Sequence, residues 1–398
     1  MNARSDPGLS AKRSAELPTG RLDVTLTKGA HELDELLGFA ARANARRGFL
    51  FLSKVLGKHW PVKPSAMLAV HERLAADVPA SEGPVLFIAM AETAIGLGQG
   101  VFEAWLRANP GREALFVHTT RYRVGSGDII EFEEAHSHAP RQFLHMPEGE
   151  HERGLLLGAR SIVLVDDEAS TGNTFVNLAA ACRRLNPSIE RVHLSVIVNF
   201  MGAAATDGLT ARFGIPTTMG ALIEGEYRFA AADIPVAAVL NAAPAQRFDA
   251  QAERGANPGF GRLGLARLLR APETLAARLA QEIAQGAKVL VLGTGEFMHA
   301  STLLGAALEA RGLDVVVQST TRSPILTWGA VSHALTFPDN YGEGIANYLY
   351  NVAPGQYDAV LVCHETPPNA ALLDAAHQLG ARLFHYQTED HVEEVPVR

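Results

Sequence analysis

The chain is predicted to have an α/β architecture, with a parallel-sheet domain followed by a second, smaller α/β domain. Short apolar runs alternate with stretches of helical periodicity, as expected when strands and helices are laid down in turn. The runs form two series, parted by residues 247–263, which are rich in Gly, Arg, Asn and Pro. At 398 residues the chain is long enough for each series to close a core of its own.

In the first series, residues 85–89 read as a strand and 98–108 as the helix after it. Residues 114–117 are a second strand, and 119–146 are polar without a clean period. Residues 162–165 and 192–198 are further strands. Residues 221–229 read as an edge strand or as part of a hood over a site. A helix is expected over 272–285. The second series opens at 288–293, with 315–318, 359–363 and 382–385 as later strands. The expected divisions are a disordered tail at 1–22, a first domain at 23–245, a connecting segment with its helix at 246–286, and a second domain at 287–398. The first twenty residues mix Arg, Lys, Ser, Pro and Gly without an apolar stretch, which argues against a signal peptide.

Residues 162–174 carry the densest chemistry. An apolar run ends in Asp166, Asp167 and Glu168. Ala169, Ser170, Thr171, Gly172, Asn173 and Thr174 follow, and then a helix whose Phe175, Leu178, Cys182 and Leu185 share one face. The strand delivers acids to its carboxyl end, where open α/β sheets bind ligands. The loop aims backbone N–H groups and hydroxyls at an anion on the helix N-terminus. Acids for a diol beside a nest for a phosphate describe a site for a ribose 5-phosphate. A lone Asp-Asp pair would read as a solvated turn, but strand, acids, nest and helix in one continuous piece favour a ligand site.

Two other stretches fit this chemistry. Glu92, Thr93, Ala94 and Gly96 form a polar turn between a strand and a Gly-framed helix entry, suited to close backbone approach by a pyrophosphate. A plain strand-to-helix turn is the equal alternative for this piece alone. Arg121 and Arg123 could clamp phosphate oxygens. His136, in the His-Ser-His stretch of a long loop, is a candidate catalytic residue. A metal site there ranks below a mobile loop, because no Cys or third His stands at ligand spacing.

Taken together, Ala91 to Gly98, Thr120-Arg121, Glu134 to Ala139 and Val165 to Gly172 resemble the ordered motifs of type I phosphoribosyltransferases. They are most similar to an orotate-phosphoribosyltransferase-like branch associated with bacterial tellurium-resistance and stress gene clusters. Asn173 stands where the signature more often has a second Gly. Members of that branch often carry a C-terminal domain named for a Thr-Arg-Ser-Pro (TRSP) motif, and this chain has Thr321-Arg322-Ser323-Pro324. The resemblance spans residues 30–398. It implies phosphoribosyl pyrophosphate (PRPP) as donor, Mg²⁺ held mainly by PRPP with no direct protein ligand, and an unidentified small acceptor, and it leaves a homodimer open. Nucleotide metabolism, tellurium resistance and stress response are the settings it implies. A non-catalytic PRPP sensor and a two-domain scaffold docking a partner enzyme are the competing readings.

The second domain offers Gly293 to Glu296 and Thr321 to Ser323 just beyond strands, with Arg322 the sharpest candidate to grip an anion. Turns and caps, with Arg322 paired internally to Glu296 or Glu343, are an equal alternative. A dinucleotide motif is incomplete, since Met298 stands at its third Gly. The net charge of −8 argues against a nucleic-acid surface. No apolar run approaches the ~20 residues that span a bilayer. Cys182 and Cys363 read as buried thiols of a cytoplasmic protein.

Overall fold

The computed structural model describes residues 11–42, 47–124, 127–133, 141–232, 257 and 259–397. Two antiparallel strands, β1 (Ala11–Leu17) and β2 (Gly20–Lys28), precede a hairpin of β3 (Leu37–Ala41) and β4 (Phe49–Ser53), then helix α1 (Pro64–Ala76). The first α/β series is β5 (Val85–Ala89), α2 (Ile95–Ala108) and β6 (Ala114–His118). A second hairpin, β7 (Ile129–Glu133) and β8 (Arg141–His145), and α3 (Glu150–Gly158) lead to β9 (Ser161–Ala169), α4 (Asn173–Leu185), β10 (Arg191–Asn199) and β11 (Thr217–Ala231). After α5 (Glu273–Glu282) come β12 (Lys288–Gly293), α6 (His299–Glu309) and β13 (Asp314–Ser319). The hairpin β14 (Ala334–Pro338) and β15 (Ala346–Tyr350) is followed by β16 (Ala359–His364), α7 (Ala370–Leu379), β17 (Arg382–Tyr386) and β18 (Val392–Val395).

The first sheet has the order β1-β2-β11-β10-β9-β5-β6, parallel from β11 to β6 and antiparallel at the β1–β2 edge. The second has the order β13-β12-β16-β17-β18, with only β18 antiparallel. Strands buried on both faces read as continuous apolar runs rather than alternating ones. Ile162 and Leu164 enter one core layer while Val163 and Val165 enter the other. A Cβ on Gly98 would lie 2.4 Å from that of Ala89, so glycine is what lets α2 cross β5 so closely.

Several expectations are corrected. Residues 11–17, assigned to a disordered tail, form β1, because its pairing with β2 extends the sheet edge. The polar 119–146 stretch contains the β7–β8 hairpin, whose short strands showed no apolar period. β11 is interior, lying between β10 and β2, so it is neither an edge strand nor a hood. The 246–286 segment is more than a connector. Leu265 exchanges backbone hydrogen bonds with Phe116 at the β6 edge. Val62 and Met67, before and within α1, pack into the core of the second sheet. Among the described residues no helix is long and apolar enough to cross a membrane. Both cysteines are buried and free.

Burial also holds five histidines neutral. Desolvation lowers His59 and His71 from 6.5 to about 3, and His118, His193 and His364 to about 4. A depressed histidine contributes stability that is complete above 6.5 and is lost as pH falls from 6.5 toward the folded value. Each such group costs about 1.4 kcal/mol per pH unit inside that window. The urea midpoint is therefore expected to fall steadily between pH 7 and pH 4.5. An unchanged midpoint would mean that these rings are solvated.

Candidate functional site

β9 is the middle strand of the parallel part of the sheet, and the chain reverses its direction of sheet growth there. β6 was added on one side of β5, and β9 lies on the other. Such a switch point opens a crevice at the strands' carboxyl ends. β5 pairs with β9 only as far as Ala89 opposite Val165, whereas β10 follows β9 to Ala169. Asp166 and Asp167 therefore emerge where β5 turns away. Both are half-buried, and the Asp166 carboxylate accepts the Asp167 N–H at 2.9 Å. Glu168 is tied instead to Arg47, just before β4. Burial raises its carboxyl above the usual range, against the pull of Arg47.

Ala169 is buried, and Ser170, Thr171 and Gly172 form the turn into α4, with Asn173 and Thr174 in its first turn. Gly172 has φ +72°, and a Cβ there would meet the Met201 sulfur at 2.9 Å and Arg212 Nη1 at 3.3 Å. Arg212, on the short helix Leu209–Phe213, donates to Asn173 Oδ1 at 2.9 Å, which brings a cation beside the turn into α4. The sequence held no sign of this residue, because it comes from a helix two elements away. If this turn takes the 5-phosphate that the motif resemblance implies, Gly172→Val weakens PRPP binding at least tenfold in calorimetry, since both φ and Met201 oppose the side chain. Unchanged affinity would place the phosphate elsewhere.

The turn after β5 lies beside the acids, with Met90 N–H donating to Val165 O at 3.0 Å. The Ala91–Glu92 peptide is cis. Ala91 N–H donates to Thr119 Oγ1 at 2.8 Å, and Gln142 from β8 donates to Ala91 O at 3.1 Å. Thr93 is half-buried, and Ala94 and Gly96 are buried at the start of α2. A Cβ on Gly96 would lie 3.3 Å from that of Met298 in the second domain. Glu92 does not face open solvent. Its carboxylate meets Lys58 Nζ at 2.7 Å, and Lys58 also donates to Gly295 O at 2.7 Å. Burial would raise Glu92, but Lys58 and Arg322 outweigh it and hold the carboxyl below its usual range.

The second domain thus reaches the first domain's loops directly. Glu296 accepts Thr120 Oγ1 at 2.6 Å and the Arg121 N–H at 3.0 Å. Arg262 lies between Glu296 (2.9 Å) and Glu365 (2.7 Å), with all three side chains buried. Tyr341 donates to Glu365 at 2.8 Å and stacks on Tyr122, ring centroids 4.4 Å apart. Arg322 pairs with Glu343 at 3.1 Å, approaches Asp339 at 3.7 Å, and hydrogen-bonds the Tyr122 hydroxyl. The internal pairing of Arg322 is therefore the arrangement found, with Glu343 as its partner, while Glu296 belongs to Arg262. Arg123 is held by Glu131 and lies over the Phe143 ring. His136 lies outside the described residues. Among the described residues, no group of three or more His, Cys, Asp or Glu could hold a metal ion.

Residues 36–226 match the family model described as phosphoribosyl transferase, and residues 259–379 match that of the TRSP domain found C-terminal to it. The chain's fold is similar to adenine phosphoribosyltransferase of Trypanosoma brucei (12% identity, 47% of this chain and 77% of that one, TM-score 0.32). It is also similar to the Thermoanaerobacter pseudethanolicus enzyme of that name (15%, 48% and 98%, TM-score 0.31). A third similar structure is orotate phosphoribosyltransferase of Francisella tularensis (15%, 47% and 80%, TM-score 0.28). Comparison with curated protein sequences gives no match.

Proposed function

We propose that the protein transfers the 5-phosphoribosyl group of PRPP to a base-like or other small acceptor, releasing pyrophosphate. One observation carries this reading. Asp166 and Asp167 emerge at the β5/β9 switch point, with the Gly172 turn on one side and the 90–94 turn on the other. Cleavage of the C1′–O bond builds positive charge on the ribose ring and negative charge on the leaving pyrophosphate. Asp166 and Asp167 hold the ribose hydroxyls and stabilise the cationic ring through space. The 170–174 turn takes the 5-phosphate on the α4 N-terminus. Thr93, Ala94 and the Arg121 side chain position the pyrophosphate, and Glu92 fixes that turn through Lys58.

Mg²⁺ enters as the counter-ion of the diphosphate, held mainly by PRPP oxygens, because it keeps much of its water and binds chiefly through substrate phosphates. The motif order quoted above supports an orotate-phosphoribosyltransferase-like ancestry and a role in tellurium-linked stress, and the two buried free thiols support a cytoplasmic setting. Pyrophosphate release from PRPP and Mg²⁺ across a panel of bases tests the reading. Acceptor-dependent release supports it. PRPP binding without turnover for any acceptor would favour a sensor.

A further inference from the structure

The carboxyl end of the second sheet holds hydrogen-bonding groups that the transferase chemistry does not use. His364 ends β16, and its Nδ1 lies 2.8 Å from the Thr366 carbonyl. A carbonyl only accepts, so Nδ1 carries the proton. The ring is neutral, because burial lowers it to about 4. Nε2 is therefore a lone-pair acceptor, and it is buried with no hydrogen-bond partner. Asn347, on β15, is 1% exposed, and both its amide nitrogen and oxygen lack partners. Leaving such groups unmatched is unfavourable, because each has given up its hydrogen bonds to water.

His364 belongs to the second sheet and Asn347 to the separate β14–β15 hairpin, and both residues face one core layer. Strand alternation puts Asn347 on the side of Leu349 and His364 on the side of Val362, and both apolar residues belong to one core layer. The loop between β14 and β15 closes onto the same end, where Asn340 donates to Thr366 Oγ1 at 2.8 Å. His385 lies parallel to His364 at 5.1 Å and fixes the plane of its ring. The charged groups nearby are already matched, Glu365 by Arg262 and Arg322 by Glu343. An anion would meet no uncommitted cation among them.

We propose that this end of the second sheet is a separate site for an uncharged, planar molecule with an amide-like edge, a nucleobase or a carboxamide. The ligand donates an N–H to His364 Nε2 and pairs its donor–acceptor edge with the Asn347 amide. A charged sugar phosphate does not suit it. The proposal is independent of the transferase reading.

The test uses the full-length protein with histidine imidazoles labelled with ¹⁵N, titrated separately with uracil, adenine and nicotinamide. His364→Gln identifies the His364 resonances by removing them. At least one probe is expected to shift the His364 Nε2 resonance saturably, and its identity separates a base from a simple carboxamide. Asn347→Leu should weaken that probe at least tenfold in calorimetry, while Asp166→Asn with Asp167→Asn should leave its affinity unchanged. The proposal is overturned if no probe moves the Nε2 resonance. It is equally overturned if binding disappears with the Asp166 and Asp167 changes and survives Asn347→Leu. Should Asn347→Leu fail to fold, the wild-type titration decides alone.

Discussion

Replacing Asp166 and Asp167 together by Asn is expected to lower pyrophosphate release on the order of 10³-fold, with the fold intact. The magnitude follows from removing preorganised charge next to a developing cation, where a single electrostatic contact is worth about 10²–10³ in rate. The fold should survive because both side chains are half-buried at a strand end. The hydrogen bond in which Asp166 accepts the Asp167 N–H can be made by an Asn oxygen. PRPP affinity should fall less than turnover, since the phosphate and pyrophosphate grips remain. Release assays and circular dichroism together check this. Turnover within tenfold of wild type, in a folded double variant, would remove the acids from the reaction.

The largest effect on stability is expected from Arg262→Met. Arg262 is bidentate to Glu365 at 2.7 Å and also meets Glu296 at 2.9 Å, all inside the protein. Its loss leaves two buried carboxylates without their cation, which typically costs about 3–5 kcal/mol. For a protein of this size that corresponds to a melting temperature lower by on the order of 10 °C. Adding Glu296→Gln and Glu365→Gln should recover part of the loss, because neutral amides cost less to bury than unpaired charges. A triple variant no more stable than Arg262→Met alone would assign the effect to packing.

The parts of the fold that were readable in the sequence are those decided locally. β5, β9, β10, β12 and β16 are apolar runs buried on both faces, so composition alone marks them. The 166–174 turn is contiguous and could be read as one chemical piece. What escaped depends on distant pairing. β1 has an exposed, charged sequence and becomes a strand only because β2 offers it an edge. β7 and β8 are five residues each, too short for a period to show. Lys58, Arg47, Arg212 and Arg262 stand in no motif, and each acquires its role from a partner tens to hundreds of residues away. Arg322 stands inside a motif, and the internal pairing with Glu343 that the sequence left open is the contact its side chain makes.

The contact between Glu296 and the Thr120–Arg121 turn also bears on how such a chain can diverge over time. Thr120 and Glu296 are 176 positions apart, yet the hydroxyl of one is matched to the carboxylate of the other. Lys58, Glu92 and Gly295 form a second such set spread across both halves. A change at any member is tolerated only with a matching change elsewhere, so these positions should drift together or stay still. A second half borrowed from a distant relative would arrive with the wrong counterparts, and the turn expected to face pyrophosphate would be the first place to register the mismatch.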